Sequence, residues 1–250
     1  MRLAKLSCKG VTEYFREKDT VILAIGSIEN HGTHNVLGVD TIIPDYLLDM
    51  IEEKSNILIA PTVPYGACDS IADFPGTISL GYDVLYGVIS KIVEGLCSHG
   101  AKKIIFLNGH GGNIPVLDRV SLECSKKGVL CAQLNWWLMV WDLNPAWKGG
   151  HGGGEETAAM LAIDPSLVDM GAIEEMNLIN DLGDELPTTG FKGVTFKGVE
   201  IPVVRSVMSF TKNGWIGPDH PKEATAQWGS EMLRAVADYI VDFIEVFGRV

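Results

Sequence analysis

Residues 27–40 read SIENHGTHNVLGVD and follow an apolar run, TVILAIG. Glu29 and His31 are two apart, so an extended backbone would point both side chains the same way. A carboxylate and an imidazole on one side suit a borderline divalent ion such as zinc, manganese or iron. Asp40 follows before a helical stretch, and His110 stands in a second polar cluster, NGHGGN at 108–113. Oxygen and nitrogen donors without thiolates indicate a catalytic rather than a structural site. Several carboxylates admit two ions, because a carboxylate can bridge. A third cluster, GGHGGGEETAAML at 149–161, sets His151 among glycines and then opens a helix with Glu155 and Glu156. His151 suits a general acid/base on a flexible loop, and Glu156 a metal ligand or an orienting carboxylate.

Each of these residues also has a plainer role. Asp40 could cap the next helix, and Asn113 the one after NGHGG. His110 could be a surface histidine. Glu155 and Glu156 could simply favour the positive end of their helix dipole. His34 reads as a loop residue and His99 as a helix-end residue.

The elements that must position these clusters alternate. Apolar strands are expected at 20–25, 56–63, 102–108 and 129–137. Helices are expected at 41–55, 83–100, 114–128 and, at the C-terminal end, 220–247. Repeated βα units predict an α/β fold, a mostly parallel sheet covered by helices, in one domain over residues 1–250. The segment 186–217, rich in Gly, Val and Pro, predicts short strands and a hairpin around FKGVTFKGVEIPVV. Ligands in such sheets bind beyond the carboxyl ends of the strands. The clusters at 27–40 and 108–113 both follow such ends.

The chain has 250 residues, of which 46% are hydrophobic and 21% charged, so a large core is available. A net charge of −12 without a basic run argues against nucleic-acid and anionic-membrane partners. Five cysteines without a C-x-x-C pair read as reduced thiols of a cytoplasmic protein. No apolar run approaches a membrane span, and the N-terminal stretch does not read as a signal peptide.

Taken together and in order, the clusters resemble the creatininase family of metal-dependent amidohydrolases. The resemblance rests on GSIENHG with its later Asp, NGHGGN, HGGGEET (151–157), FPGTISL (74–80) and GWIGPDHPKEATAQWG (214–229). It implies a three-layer α/β/α sandwich and a centre of two divalent ions: zinc, manganese or iron. Carried over residue by residue, Glu29, His31, Asp40 and His110 are ligands, with Asp40 bridging and Glu156 the additional carboxylate. His151 matches the family's catalytic histidine, and Trp147 a tryptophan that covers substrate. Thr77 and Gly111, in the FPGT and NGHGGN loops, are expected to line the substrate site. The family's assembly implies a homohexamer. The chain departs from creatininase at Gly112 and Gly150, where that enzyme has glutamates. It also has Ile71 where many relatives have a histidine.

The expected activity is hydrolysis of a C–N bond in a small cyclic amide or formamide. A dinuclear metal-bound hydroxide would attack, His151 would protonate the leaving nitrogen, and the loop 142–154 would close over the site. One alternative is ring-opening of a non-amide carbonyl compound, such as a cyclic polyol derivative. The other is a non-enzymatic metal or anion binder on the same fold.

Overall fold

Strands β1 (Thr20–Ile25) and β3 (Lys103–Asn108) are buried along their whole length, as near-continuous apolar runs in a parallel sheet must be. The computed structural model describes residues 1–250. With β2 (Leu58–Ile59) and β4 (Leu130–Asn135) they form one sheet, ordered β2-β1-β3-β4, and every pairing is parallel.

Alternate side chains of the sheet feed two separate cores. On one face Ile22, Ala24, Ile105 and Leu107 pack against α2 (Val39–Lys54), α5 (Trp136–Leu143), α6 (Gly154–Ile163) and α7 (Ala226–Phe247). On the other, Val21, Leu23, Ile25, Ile104 and Phe106 pack against α1 (Cys8–Glu17), α3 (Gly81–Ser98) and α4 (Ile114–Ser125). The result is the expected three-layer α/β/α sandwich. The expected hairpin also forms, from β5 (Gly193–Phe196) and β6 (Val199–Pro202). Its two turn residues, Lys197 and Gly198, both have positive φ (49° and 81°), which matches the twist of a tight hairpin.

Several boundaries differ from expectation. Strand β2 keeps two ladder residues of the expected 56–63; Ala60 N–H still bonds to Ile22 O (2.9 Å), but the next bond to β1 comes from Val63 N–H to Ala24 O (3.0 Å), a one-residue slip around Pro61 that interrupts the ladder. Helix α2 starts earlier, at Val39. Asp40 therefore lies inside its first turn, and Gly38 stands at the cap. The strand expected over 129–137 ends at Asn135, and Trp136 opens helix α5 instead. Helix α7 starts at Ala226, where the Thr225 hydroxyl accepts from Trp228 N–H at 3.1 Å.

All five cysteines are free thiols. No helix is long and apolar enough to cross a membrane.

The register decides where chemistry can sit. Ile25 pairs with Asn108, and Asn108 with Asn135, so three strands end at one level. The loops that leave them emerge side by side.

Candidate metal centre

Glu29 and His31 lie in the turn after β1, Asp40 in the first turn of α2, and His110 just beyond β3. His151 and Glu156 flank the start of α6. Two features draw these loops together. A Cβ at Gly109 would lie 1.9 Å from the Asp40 carbonyl oxygen, so only glycine lets the end of β3 approach the start of α2 this closely. Asn113, expected as a helix cap, instead donates to Gly26 O (3.0 Å) and Asn108 Oδ1 (3.1 Å) and accepts from Ala67 N–H (3.0 Å). It ties three loops into one floor.

Three imidazoles point inward from backbone anchors. His31 Nδ1 lies 3.1 Å from Glu29 O, His110 Nε2 3.1 Å from Ala67 O, and His151 Nε2 2.6 Å from Asn30 O. A carbonyl oxygen can only accept, so each of these nitrogens carries a proton. The other nitrogen of each ring faces a carboxylate. His31 Nε2 is 3.1 Å from Asp40 Oδ1 and 3.6 Å from Glu156 Oε2. His110 Nδ1 is 3.1 Å from both Glu29 Oε1 and Asp40 Oδ2. His151 Nδ1 is 3.6 Å from Glu29 Oε1, and its ring lies over that of His31 with centroids 4.2 Å apart.

Neutral imidazole nitrogens and carboxylate oxygens repel at these distances unless a cation sits between them. Glu29 Oε2 and Asp40 Oδ2 are also buried without a hydrogen-bond partner. These observations fit a bound metal, and backbone carbonyls orienting the rings are the usual outer support of such a site.

Without a metal, protons on the histidines would have to supply that positive charge. Burial alone would lower the His31 pKa, but Asp40 and Glu156 outweigh it and push it up to about 10. His110 is likewise driven well above its ordinary value by Glu29 and Asp40, against the effect of burial. Burial raises Glu156 to about 7 and also raises Glu29. Buried carboxylates at this density demand positive charge, supplied either by protons on the histidines or by metal ions.

Ligand atoms gather in three groups, each within 4.8 Å: Glu29, Asp40 and His110; His31, Asp40 and Glu156; Glu29, His31 and His151. Asp40 belongs to the first two. Glu155, although adjacent to Glu156, belongs to none. Its Oε2 accepts from Trp141 Nε1 at 2.8 Å. His34 is also outside the cluster, buried against Thr157 (3.0 Å).

A cavity of about 270 Å³ opens onto the cluster. Gly111 lines it; Thr77 and Trp147 do not. The Thr77 hydroxyl is occupied as acceptor for Asn30 N–H at 3.0 Å. Trp147 closes a tight turn by bonding to Asn144 O and packs half-buried against the α2–α7 core. The cavity's aromatic wall instead holds Trp137 and Trp141 of α5 with Tyr82 and Phe191. The two tryptophans are four apart, a helical spacing visible in NWWLMVW, but a strand expected over 129–137 takes in Trp137 and separates it from Trp141. Nothing in the local sequence placed Phe191, whose ring meets His151 edge-on at 4.7 Å.

The creatinine amidohydrolase of Pseudomonas putida is 30% identical over 175 residues, covering 61% of this chain and 67% of that one. A 3-dehydro-scyllo-inosose hydrolase of Thermotoga maritima is 25% identical over 174 residues, covering 65% of this chain and 56% of that one. Among solved structures, a manganese creatininase superposes with a TM-score of 0.77 at 24% identity, over 99% of this chain and 98% of that one. A zinc–zinc creatininase mutant superposes with a TM-score of 0.76, also at 24% identity. At that identity the superpositions establish the fold. The creatininase family model, described as creatinine amidohydrolase, matches residues 4–244. With that match across nearly the whole chain, the protein belongs to the creatininase family of hydrolases.

Proposed function

We propose that this hydrolase is metal-dependent, carries two divalent ions, and cleaves a C–N bond in a small cyclic amide or formamide. The observation that carries the reading is the Asp40 carboxylate, one oxygen 3.1 Å from His31 Nε2 and the other 3.1 Å from His110 Nδ1. One ion would be held by Glu29, Asp40 and His110, and the other by His31, Asp40 and Glu156. Divalent ions so held supply an acidified water and polarise a carbonyl.

The remaining steps belong to the chain. Asn30 O fixes the His151 proton on Nε2, which leaves Nδ1 facing the cluster as the base. There it takes a proton from the attacking water and returns it to the leaving nitrogen as the C–N bond breaks. Phe191, packed edge-on against the ring, holds that orientation.

The pocket differs from that of creatininase at two glutamates. A Cβ at Gly112 would meet Ala67 O at 2.1 Å, and one at Gly150 would meet Ile216 O at 2.6 Å. This backbone leaves no room for either glutamate, so creatinine is not the substrate we favour. A second reading, ring-opening of a polyol-derived carbonyl compound, is supported by the likeness to the Thermotoga maritima hydrolase. Assembly as a homohexamer belongs to the same proposal. Light scattering would then give about six times the 27.1 kDa chain mass.

Elemental analysis of gently purified protein, followed by a screen of amides and lactones, tests the reading. About two equivalents of zinc, manganese or iron with hydrolysis of an amide are expected. Lactone-only turnover would select the second reading. No metal after reconstitution, and no turnover, would overturn both.

A further inference from the structure

The site as described leaves one buried polar group unused. Glu155 opens α6 beside the candidate ligand Glu156, is 1% exposed, and lines the cavity. Its Oε2 is held by the Trp141 indole N–H at 2.8 Å, while Oε1 is buried with no partner. Unpartnered buried oxygens are rare in native proteins.

The surroundings of Glu155 are closely packed. Asp219 Oδ2 accepts the Glu155 backbone N–H at 2.6 Å. The chain at Gly149 runs so close that a Cβ there would lie 2.2 Å from Glu155 Cβ. Nor does a shared ion explain it, since Glu155 is in none of the ligand groups.

We propose that Glu155, oriented by Trp141, is a specificity-determining residue that hydrogen-bonds an amide or hydroxyl group of the substrate remote from the reacting carbonyl. This rests on the reading that the cavity beside the cluster is the substrate site. The substrate class follows. A cavity of about 270 Å³ holds a small ring. One polar point of that ring meets the carboxylate–imidazole cluster and a second meets Glu155, with Trp137 and Trp141 as apolar walls. A site built to hydrogen-bond a substrate group discriminates strongly against an analogue lacking it.

Matched probes test this on the metal-loaded protein: hydantoin against 2-pyrrolidinone, and glucono-δ-lactone against δ-valerolactone. Each pair shares a ring carbonyl and differs in the remote polar groups, hydantoin adding a second carbonyl and a second N–H and the gluconolactone its hydroxyls. Affinity is read by calorimetry, and bound metal by elemental analysis. The wild type is expected to favour the more polar partner of at least one pair by about 10- to 100-fold. Glu155→Leu should reduce that preference to within about threefold, Glu155→Gln should keep part of it, and metal per chain should not change. Trp141→Phe, which frees Oε2 without removing the carboxyl, should weaken the preference and keeps the test decisive if Glu155→Leu fails to fold. No preference in the wild type for either pair, or a preference that survives these substitutions, overturns the proposal. A protein with two ions and turnover whose preference ignores Glu155 sinks this inference alone. A protein without ions or turnover sinks the proposed function instead.

Discussion

Asp40 sits where two roles compete, helix cap and bridging ligand. Its carboxylate faces two imidazoles and takes no part in capping α2. Asp40→Asn should therefore leave the fold intact by circular dichroism while metal per chain drops from about two towards none. Metal retained at wild-type level would remove the bridge. His151 is the second residue with two readings, because it also lies in a ligand group with Glu29 and His31. As a proton-transfer group its replacement by alanine should keep the metal and lower turnover by about 10²- to 10⁴-fold. Loss of an ion from His151→Ala would make it a ligand instead.

At the scale of elements, the centre depends on how closely backbone segments approach. Gly109→Ala would drive a Cβ into the Asp40 carbonyl, where both atoms belong to packed elements and neither can yield cheaply. We expect a stability loss of about 2–3 kcal/mol by urea unfolding, at the upper end for overpacking, together with weakened metal retention. The segment that delivers Phe191 depends on a different tie. Arg205 clasps Asp181 with two hydrogen bonds, 2.8 and 2.9 Å, and these pull the Asp181 carboxyl down to about 2. Its folded pKa lies below its ordinary value, so the tie stabilises fully above about pH 4 and is lost as pH falls through about 2. The gap in urea midpoint between wild type and Arg205→Met should accordingly be present at pH 6 and shrink towards pH 2.5. A constant gap would mean that Arg205 acts by packing on Phe210, whose ring centroid is 4.4 Å from its guanidinium carbon.

For the whole molecule, the candidate metal cluster joins the ends of β1 and β3 to α2 and α6, two helices that cover one face of the sheet. An ion bound only by the folded state stabilises the whole chain by mass action, about 2.7 kcal/mol at a hundredfold excess over Kd. For a chain of this size that corresponds to roughly 5–10 °C in Tm. A chelator should lower Tm by about that amount, and zinc or manganese should restore it. The Asp40→Asn protein should respond to neither. A wild-type Tm indifferent to chelation would mean that the ions, if bound, hold little of the fold together.

The sequence alone determined the layers and the chemistry. Near-continuous apolar runs at 20–25 and 102–108 could only be strands buried on both faces, and the amphipathic stretches between them only their covering helices. Side-chain types at 29, 31, 40, 110 and 156 already offered oxygen and nitrogen donors, and His151 a proton-transfer group, because side-chain chemistry is local. Tertiary structure decided which atoms meet. Asp40's freedom from capping, the separation of Glu156 towards the cluster and Glu155 towards Trp141, and the displacement of Thr77 and Trp147 from the cavity all depend on packing between segments far apart in sequence. So does the arrival of Phe191 at His151. Gly109, Gly112 and Gly150 mark close approaches of this kind, and a contact between distant backbones leaves no periodic signature in either segment.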